Sequence, residues 1–333
     1  MNPIWNADLE TGDLSQWGGF ETRTNPQATP QQRVTVMPME ADSPLKIKNF
    51  MRCTVQPGDR YMSSTGERGM FRQYKNDDQI WRNPGYDSTV TFAIRTASDY
   101  PMGSDVWVGG MEWHQRGGRG GPAPVHHITY ADRFHGDVSG GPDSSNPYHR
   151  YLTQDFFIGR KPNEWYAFAI RVLHNIAPKG IYEIWGAHVG VDAGMKLLLS
   201  AHEIGNMYQL SSGQILQNYS LWCLYRQVGP QTILKIDMAA CREYGLASDG
   251  ISYLNGLMGA TPQPKLRKKS ETATTITLEW DPVPNAYGYR FFAGGNAVST
   301  SYDVNKHEVT FAKGAPEYAV LPLMAGELLK YVP

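Results

Sequence analysis

The sequence predicts an all-β protein, with a large sandwich or barrel followed by a smaller β module. Strand-like stretches rich in β-branched and aromatic residues recur at fairly even spacing and are bounded by Gly, Pro, Asn or Asp. The strands do not alternate with helical patterns, which argues against a parallel α/β sheet. After residue 259 the composition changes to a Pro-flanked basic stretch. We therefore expect two domains, 1–260 and 261–333.

Strand predictions cover much of the first domain. They fall at 33–38, 49–56, 88–96, 104–114, 125–131, 164–174, 180–189, 219–227 and 232–238. In the stretch 164–174, two-residue alternation puts four apolar side chains on one face, namely Tyr166, Phe168, Ile170 and Val172. The only passable helix candidate is 236–247, where the apolar spacing is mixed. These patterns favour antiparallel sheets packed around one apolar core.

The second domain has the features of a small β-sandwich. The alternating strand "TTITLEW" ends on a tryptophan, and a proline turn and a tyrosine-bearing strand follow it. This order resembles a fibronectin type III module, and the positions that carry the resemblance are Trp280, Pro282, Pro284, Tyr287 and Tyr289. The domain has about 70 residues where such a module has about 100. We therefore expect it to lack a strand or to borrow one from a partner.

Charge, cysteines and hydropathy exclude several classes of protein. The chain has 31 Lys and Arg against 32 Asp and Glu, so the net charge of −1 argues against a nucleic-acid partner. Cys53, Cys223 and Cys241 are too few and too scattered for a disulfide framework or a zinc–cysteine site. No apolar run approaches 18 residues, so we expect no membrane span. The first residues lack the charged and apolar regions of a signal peptide, so we expect folding in a cytoplasm.

The segment "GGMEWHQRGGRGGPAPVHH" (109–127) ends a strand on His114 and continues into an irregular Gly- and Pro-rich loop. Histidines crowd around it, at His114, His126, His127, His135 and His149, yet none has the spacing of a zinc site. Alternation also puts His126 and His127 on opposite faces of their strand. No Lys-Ser/Thr and no helix follows the glycines, so the loop is not a phosphate loop. No GxSxG motif is present, which disfavours a serine hydrolase.

Five segments, in chain order, resemble the polysaccharide lyases of the heparin lyase I and alginate lyase type. They are "ADLETGDLSQW", "CTVQPGDRYMSSTGERGMFRQ", "MEWHQRGGRGGPAPVHH", "NEWYAFAIRVLHNIAPKGIYEIWGAHVG" and "NYSLWCLYRQ". The resemblance covers roughly residues 5–258. It implies a concanavalin A-like antiparallel jelly roll, in which two curved sheets form a sandwich and the concave face binds a glycan.

The resemblance assigns one strand of the groove to residues 112–114. The family's Gln-x-His triplet corresponds to Glu112 and His114, with glutamate in the place of glutamine. Alternation puts both side chains on one face, which Val108 and Gly110 would extend, and it points Trp113 into the core.

Two further strands of the family match in part. The tyrosine strand matches at Tyr219, Tyr225 and Gln227, while Leu221 stands for its lysine and Cys223 for its glycine. The arginine strand matches at Arg68, with Met70 in the place of glutamate and Arg72 following on the same face.

The activity that the resemblance implies is β-elimination at a uronic acid. His114 would abstract the C5 proton, Tyr225 would protonate the leaving oxygen, and Arg68 would stabilise the developing charge. An ionised Glu112 would repel the carboxylate that the family's glutamine binds. Glycan binding without catalysis is therefore the favoured prediction, an active lyase is the alternative, and a purely architectural domain is the third. The predicted glycan-binding residues are Glu112, Arg72, Gln115, Tyr219 and Gln227.

The combination of a lyase-like jelly roll with a fibronectin-like module resembles the minor tail proteins of tailed phages, notably those that infect actinobacteria. The resemblance implies a protein of the virion tail, assembled in the host cytoplasm. Its expected partners are a host surface polysaccharide, other tail proteins, and copies of itself in a homotrimer or ring. The apolar stretch 318–333 is the expected contact between chains.

No metal site and no cofactor are expected from the sequence. The resemblance leaves a structural Ca²⁺ open, because lyases of this type sometimes hold one. The acidic residues that could supply oxygen ligands to it are Asp8, Glu10, Asp13 and Asp237.

Overall fold

The structure is a computed structural model of the whole chain. It describes residues 2–21, 29–59, 66–75, 78–100, 108–116, 123–130, 132–142, 149–227, 232–259, 266–280, 289–294, 296–301, 307–315, 318–322 and 329–331. The described residues form an antiparallel jelly-roll sandwich and a second, smaller β-sandwich, which confirms the predicted fold class.

The jelly roll contains eighteen strands and two helices among the described residues. The helices are α1 (Pro30–Arg33) and α2 (Ala247–Leu257). The strands are β1 (Trp5–Ala7), β2 (Gly18–Glu21), β3 (Val34–Pro38), β4 (Asn49–Val55), β5 (Gly66–Arg72), β6 (Tyr74–Lys75), β7 (Asp78–Gln79), β8 (Asp87–Thr96), β9 (Val108–Gln115), β10 (Val125–Thr129), β11 (Phe134–Pro142), β12 (His149–Phe156), β13 (Tyr166–Leu173), β14 (Gly180–His188), β15 (Lys196–Ile204), β16 (Tyr208–Gln209), β17 (Asn218–Gln227) and β18 (Leu234–Tyr244).

Two eight-stranded sheets make up the jelly roll. Sheet A has the order β15-β14-β13-β8-β18-β4-β3, with β1 also paired to β18. Sheet B has the order β12-β11-β10-β9-β17-β5-β2, with β16 also paired to β11. The pairs in both sheets are antiparallel except for the short parallel contact between β11 and β16. Strands distant in sequence, such as β5, β9 and β17, thus become neighbours at the centre of sheet B.

The main core lies between the two sheets. The four side chains predicted to share one face of β13 all lie in it, namely Tyr166, Phe168, Ile170 and Val172. The alternating residues Ala167 and Ala169 point to the other face of sheet A, where they pack beneath Ile251 and Leu254 of α2. Both faces of sheet A are therefore covered in this region, and both sides of β13 are apolar.

The predicted helix over 236–247 is wrong. Its residues mostly form β18, and the helix begins at Ala247, where the prediction ends. Strand β18 lies between β4 and β8 and is buried on both faces, so its apolar run lacks the two-residue alternation of a half-exposed strand. Helix α2 was missed because Gly250 and Gly256 lower its helix propensity. Gly250 is required by packing, since a Cβ there would lie 2.7 Å from Cγ2 of Thr91.

Neither described helix is long and apolar enough to cross a membrane.

The second sandwich contains seven strands among its described residues. They are β19 (Arg267–Glu271), β20 (Thr275–Glu279), β21 (Tyr289–Ala293), β22 (Asn296–Ser301), β23 (Glu308–Ala312), β24 (Tyr318–Pro322) and β25 (Leu329–Tyr331). They form one sheet in the order β19-β20-β23 and another in the order β22-β21-β24-β25. Seven strands are as many as a constant-type immunoglobulin domain contains, so the expectation of a missing strand is wrong. Trp280 and Tyr289 pack in its core, while Pro282, Pro284 and Tyr287 lie outside the described residues.

A tyrosine at the start of β24 fixes the corner between β23 and β24. The hydroxyl of Tyr318 donates a hydrogen bond to the backbone oxygen of Ala312 at 3.0 Å. Immunoglobulin-type sandwiches place a tyrosine corner at this position. Tyr318, Ala319 and Val320 are buried in the module's own sandwich. The apolar side chains that carry the expected contact between chains lie within 321–333, outside the described part, so that expectation stays a prediction.

Candidate functional site

The candidate site lies on the face of sheet B that points away from the core, here called the outer face. Met111 and Trp113 of β9 are buried between the sheets, which confirms the predicted direction of Trp113. Because successive side chains of a strand point to opposite faces, Glu112 and His114 lie on the outer face. These two residues are the starting point of the site.

A bulge in β9 changes which residues continue this face. The register between β9 and β10 shifts between His127 and Ile128, and a bulge of this kind interrupts the two-residue alternation. Val108 lies in the core, and a Cβ on Gly110 would approach Cδ1 of Ile94 to 2.9 Å. The prediction that Val108 and Gly110 extend the outer face is therefore wrong.

Three rings lie together at one end of the outer face. His114 pairs in register with Tyr219 of β17, and their ring centroids are 5.9 Å apart. Trp81 meets the ring of Tyr219 edge-on at 5.5 Å. The guanidinium of Arg72 lies 5.1 Å from the centroid of the same tyrosine ring. Sequence reasoning missed Trp81 because it precedes β8 and matches no strand of the lyase pattern.

Glu112 forms a hydrogen-bonded pair with a histidine of the neighbouring strand. Nε2 of His126 lies 2.9 Å from Oε2 of Glu112, which is only 1% exposed. Burial alone would raise the pKa of this carboxyl, but the hydrogen bond and charge of His126, together with His114 and Arg68, lower it to about 2. Glu112 is therefore ionised at neutral pH.

The sequence pattern contained a signal for His126. Alternation predicted that His126 and His127 point to opposite faces, and the structure confirms it. His127 is buried in the core with its ring 4.4 Å from that of Phe168, while His126 reaches Glu112 on the outer face. No local pattern links His126 to Glu112, because the two residues lie on different strands and meet only through the register of β9 and β10.

His114 is held in its neutral form. Burial lowers the pKa of its imidazole; the charge of Glu112 opposes this shift, and Arg68 and His126 add to it. A neutral imidazole accepts hydrogen bonds and protons. His114 is therefore able to act as a base or as a hydrogen-bonding partner of a sugar hydroxyl.

The two arginines of β5 share one carboxylate. Nη1 of Arg68 lies 3.0 Å from Oε2 of Glu21, and Nε of Arg72 lies 2.5 Å from Oε1 of the same residue. Glu21, at the end of β2, is 3% exposed. Both guanidinium groups are thus ion-paired within the protein, although the one carboxylate of Glu21 offsets only one of their two positive charges. No local sequence pattern indicates Glu21, because β2 is brought beside β5 only by the fold.

Tyr225 lies at the other end of the site, between two glycines. It pairs in register with Arg68 of β5 and with Gly109 of β9, and the guanidinium of Arg68 lies 4.5 Å from its ring centroid. A Cβ on Gly66 would lie 1.9 Å from Cε2 of Tyr225, whereas a Cβ on Gly109 would keep an ordinary 3.7 Å from its Cβ. The absence of a side chain at Gly66 therefore lets the ring take its position.

The predicted base and acid share a face, but the sheet register separates them. Tyr225 lies opposite Gly109, and His114 lies five residues further along β9. At about 3.3 Å per residue the two backbone positions are roughly 16 Å apart. The tyrosine opposite His114 is Tyr219, so the expected convergence of His114 and Tyr225 on one sugar is not supported.

Most of the other residues that the lyase pattern singled out are buried in the protein. Gln115 is 2% exposed and alternates to the core side with Trp113, so its assignment to glycan binding is wrong. Leu221 is fully buried, and Cys223 adopts a φ of 89° where the family has glycine. Met70 is also buried. The backbone of Gln227 pairs with Gly66, and its side chain lies outside the described part.

Two of the acidic residues named for a cation are bound to arginines instead. Asp8 pairs with Arg242, and Asp237 accepts hydrogen bonds from Arg52 and Arg95 at 2.8 and 2.9 Å. Within the described ranges, no group of three or more His, Cys, Asp or Glu side chains is arranged to hold a metal ion. The expectation that the protein works without a cofactor stays a prediction.

The site as a whole is an elongated row, here called the outer-face strip. It consists of Trp81, Tyr219, His114, Glu112, His126, Arg72, Arg68, Glu21 and Tyr225. Aromatic rings with polar groups along their edges suit the apolar faces and the hydroxyl groups of a ligand such as a sugar chain.

A uronate-specific elimination would also need a cationic or amide group for the substrate carboxylate. Both guanidinium groups of the strip already bind Glu21.

A comparison with solved structures supports the fold. No family model matches the chain, and no curated protein matches it. A solved structure, an endo-β-1,4-glucuronan lyase from the fungus Trichoderma reesei, is 13% identical with a TM-score of 0.53 and covers 74% of this chain and 98% of its own.

Two further solved structures are similar to a lesser degree. The catalytic domain of a glycoside hydrolase family 131 protein from Coprinopsis cinerea is 9% identical, with a TM-score of 0.46, and covers 73% of this chain and 94% of its own. An alginate lyase of polysaccharide lyase family 7 is 10% identical, with a TM-score of 0.43, and covers 70% and 95%. Since both TM-scores are below 0.5, only the glucuronan lyase supports a conclusion, and at 13% identity that conclusion is the shared jelly-roll fold.

Proposed function

We propose that the jelly-roll domain binds a polysaccharide along the outer-face strip. The observation that carries this proposal is the arrangement of three rings. The ring centroid of Tyr219 lies 5.9 Å from that of His114 on one side and 5.5 Å from that of Trp81. Aromatic rings beside hydrogen-bonding side chains are a common means of fixing a small polar ligand. The strip is also long, since Tyr219 and Tyr225 are six residues apart on one strand, and it suits an extended chain.

Binding is favoured over cleavage by the state of the charged groups. Glu112 is ionised where the lyase pattern has a glutamine, and the guanidinium groups of Arg68 and Arg72 are bound to Glu21. A β-elimination must stabilise negative charge on the substrate carboxylate and its enolate. An ionised carboxylate in that place opposes the reaction.

Affinity measurements on a panel of polysaccharides test this proposal. Titration calorimetry and affinity electrophoresis of the full chain should show binding to at least one polymer. Tyr219→Ala should weaken it by at least about tenfold, as expected for an aromatic anchor. Tyr219→Phe keeps the ring and should stay within about threefold of the wild type. If no polymer binds, or if both variants behave alike, the strip is not the binding site.

The alternative function is an active polysaccharide lyase, and one observation favours it. His114 and Tyr219 lie opposite each other in register with ring centroids 5.9 Å apart, so a base and an acid stand side by side. Burial also lowers the pKa of the His114 imidazole, which favours the neutral form that a base requires. Incubation with uronic-acid polymers, followed by the ultraviolet absorbance of unsaturated products, distinguishes the two functions. The binding proposal expects no product. Product formation that His114→Ala abolishes would establish the lyase.

The biological setting that we associate with this binding is the tip of a phage tail. There the protein would recognise a glycan on the host surface and would contact other tail proteins, in several copies around the tail axis. The support is the succession of a lyase-like jelly roll and a seven-stranded sandwich with a tyrosine corner, an architecture that resembles phage minor tail proteins.

Electron microscopy of purified virions tests the tail assignment. An antiserum raised against the purified chain should label the tail tip of the phage whose genome encodes it, and it should block adsorption to the host. If mass spectrometry of the purified virion fails to detect the chain, the tail assignment is wrong, while glycan binding remains testable on the isolated protein.

A further inference from the structure

The described part of the outer-face strip holds its arginines and carboxylates in ion pairs and hydrogen bonds within the protein. Its two guanidinium groups, on Arg68 and Arg72, bind the single carboxylate of Glu21. Its second carboxylate is that of Glu112, which hydrogen-bonds to His126. Beside the strip, the guanidinium of Arg116 lies 4.8 Å from the ring centroid of Trp81 and hydrogen-bonds to Gln217. The charge count alone therefore does not decide which ligand the strip accepts.

The position of the second carboxylate matters more than the charge balance. Glu112 lies between the row of His114 and Tyr219 and the row of Tyr225 and Arg68, because it pairs in register with Leu221 at the centre of β17. A sugar chain that runs along the strip from Tyr219 to Tyr225 passes over this position. Glu112 is buried, and a ligand bound above it would exclude water from the strip. The local dielectric constant would then fall, so the charge of Glu112 would be screened poorly from the ligand.

We infer that the outer-face strip selects a neutral glycan, a polymer of hexoses or N-acetylhexosamines without carboxylate or sulfate groups, and that Glu112 excludes uronic acids. The inference rests on the proposed glycan binding and specifies its ligand class. Specificity of this kind arises as much from a repulsive group as from attractive ones. A neutral glycan still gains the contacts with the rings of Tyr219, Trp81 and Tyr225 and hydrogen bonds from its hydroxyl groups.

Removal of either carboxylate should change the ligand class. Glu112→Gln keeps the size of the side chain and removes its charge, and Glu21→Gln releases the guanidinium groups of Arg68 and Arg72 from their anion. Either variant should gain affinity for polyuronates by at least about tenfold, while its affinity for the neutral polymer changes by less than about threefold. Using both variants covers the case in which one of these buried substitutions prevents folding.

Glu183→Gln is the matched control. Glu183 is also a buried carboxylate, bonded to Arg171 and His202, but it lies on sheet A. The substitution changes the net charge of the chain by the same amount away from the strip. It should leave the preference between neutral and uronic polymers unchanged.

The experiment compares dextran, galactan and mannan with polygalacturonate, alginate and polyglucuronate by affinity electrophoresis at two salt concentrations. The wild type should bind a neutral polymer, with little dependence on salt, and should not bind the polyuronates. The inference is overturned if the wild type prefers a polyuronate, or if both Glu112→Gln and Glu21→Gln keep the wild-type preference. Failure to bind any polymer would instead contradict the proposed function, so the two failures are distinguishable.

Discussion

Glu112 on β9 and His126 on β10 face each other across two neighbouring strands and share a hydrogen bond of 2.9 Å. The pair holds an ionised carboxylate on the outer face of sheet B, although that carboxylate is almost fully buried. The lyase pattern that the sequence resembles has a glutamine at position 112. The pair therefore distinguishes this chain from the pattern that its fold suggests.

The first prediction concerns stability against pH. Because the folded-state pKa of Glu112 is lowered from 4.5 to about 2, its ionisation stabilises the fold above about pH 4.5, and this contribution is lost as the pH falls through about 2. The contribution is on the order of 3 kcal/mol. Urea unfolding of wild type and Glu112→Gln should show a difference in free energy of unfolding at pH 7 that shrinks toward pH 2. A difference that stays constant over this range would contradict the prediction.

The second prediction concerns the titration of His114. Its pKa should lie below the ordinary value of about 6.5, because burial opposes the charged imidazolium. The carboxylate of Glu112 partly offsets this effect, so Glu112→Gln should lower the pKa of His114 further. Histidine resonances in two-dimensional NMR spectra measure both shifts. His202, beside Glu183 on sheet A, serves as the unaffected control, and a higher pKa in the variant would argue against the described geometry.

The jelly roll could be predicted from the sequence because its strands alternate clearly. The stretches 49–56 and 180–189 correspond to β4 and β14 within one residue at each end. Strands β11 and β12 were missed because glycines in the first and exposed polar residues in the second remove the apolar alternation. The boundary between β18 and α2 was missed because a strand buried on both faces has no two-residue period.

The site was only partly predictable, for a different physical reason. Residue types identified His114, Glu112, Arg68, Arg72, Tyr219 and Tyr225, and the structure places all six on one face of sheet B. Their partners Glu21 and His126 come from other strands, and no local pattern links them. The spacing of His114 from Tyr225 depends on register and on a bulge beside Gly110, which the sequence does not reveal.

The third prediction concerns the position of the Tyr225 ring. Gly66→Ala should displace the ring from Arg68, because the new Cβ would lie 1.9 Å from Cε2 of Tyr225. We expect glycan affinity to fall by about three- to tenfold while the fold is retained. Gly109→Ala, on the other side of the same ring, keeps an ordinary contact of 3.7 Å and should have little effect. Equal affinities of the two variants in calorimetry would show that the ring position does not matter.

The fourth prediction concerns the tyrosine corner of the smaller sandwich. Tyr318→Phe removes the hydrogen bond to the backbone oxygen of Ala312 and leaves the ring in place. The loss should lower the stability of this sandwich by about 1 kcal/mol. Hydrogen exchange on the full chain should show faster exchange in β24 and unchanged exchange in sheet B of the jelly roll. Unchanged protection of β24 would mean that the hydroxyl contributes nothing to the corner.

The most direct test of glycan binding at the outer-face strip is a crystal structure of the full chain with an oligosaccharide of the neutral polymer that it binds. The other face of the jelly roll offers a competing position, since Glu40, Arg95, Trp165 and His188 line a depression on sheet A. We predict sugar rings along the strip, with at least one within 4 Å of the rings of Tyr219 or Trp81. An oligosaccharide bound in the depression beside Trp165, with the strip empty, would contradict the central claim.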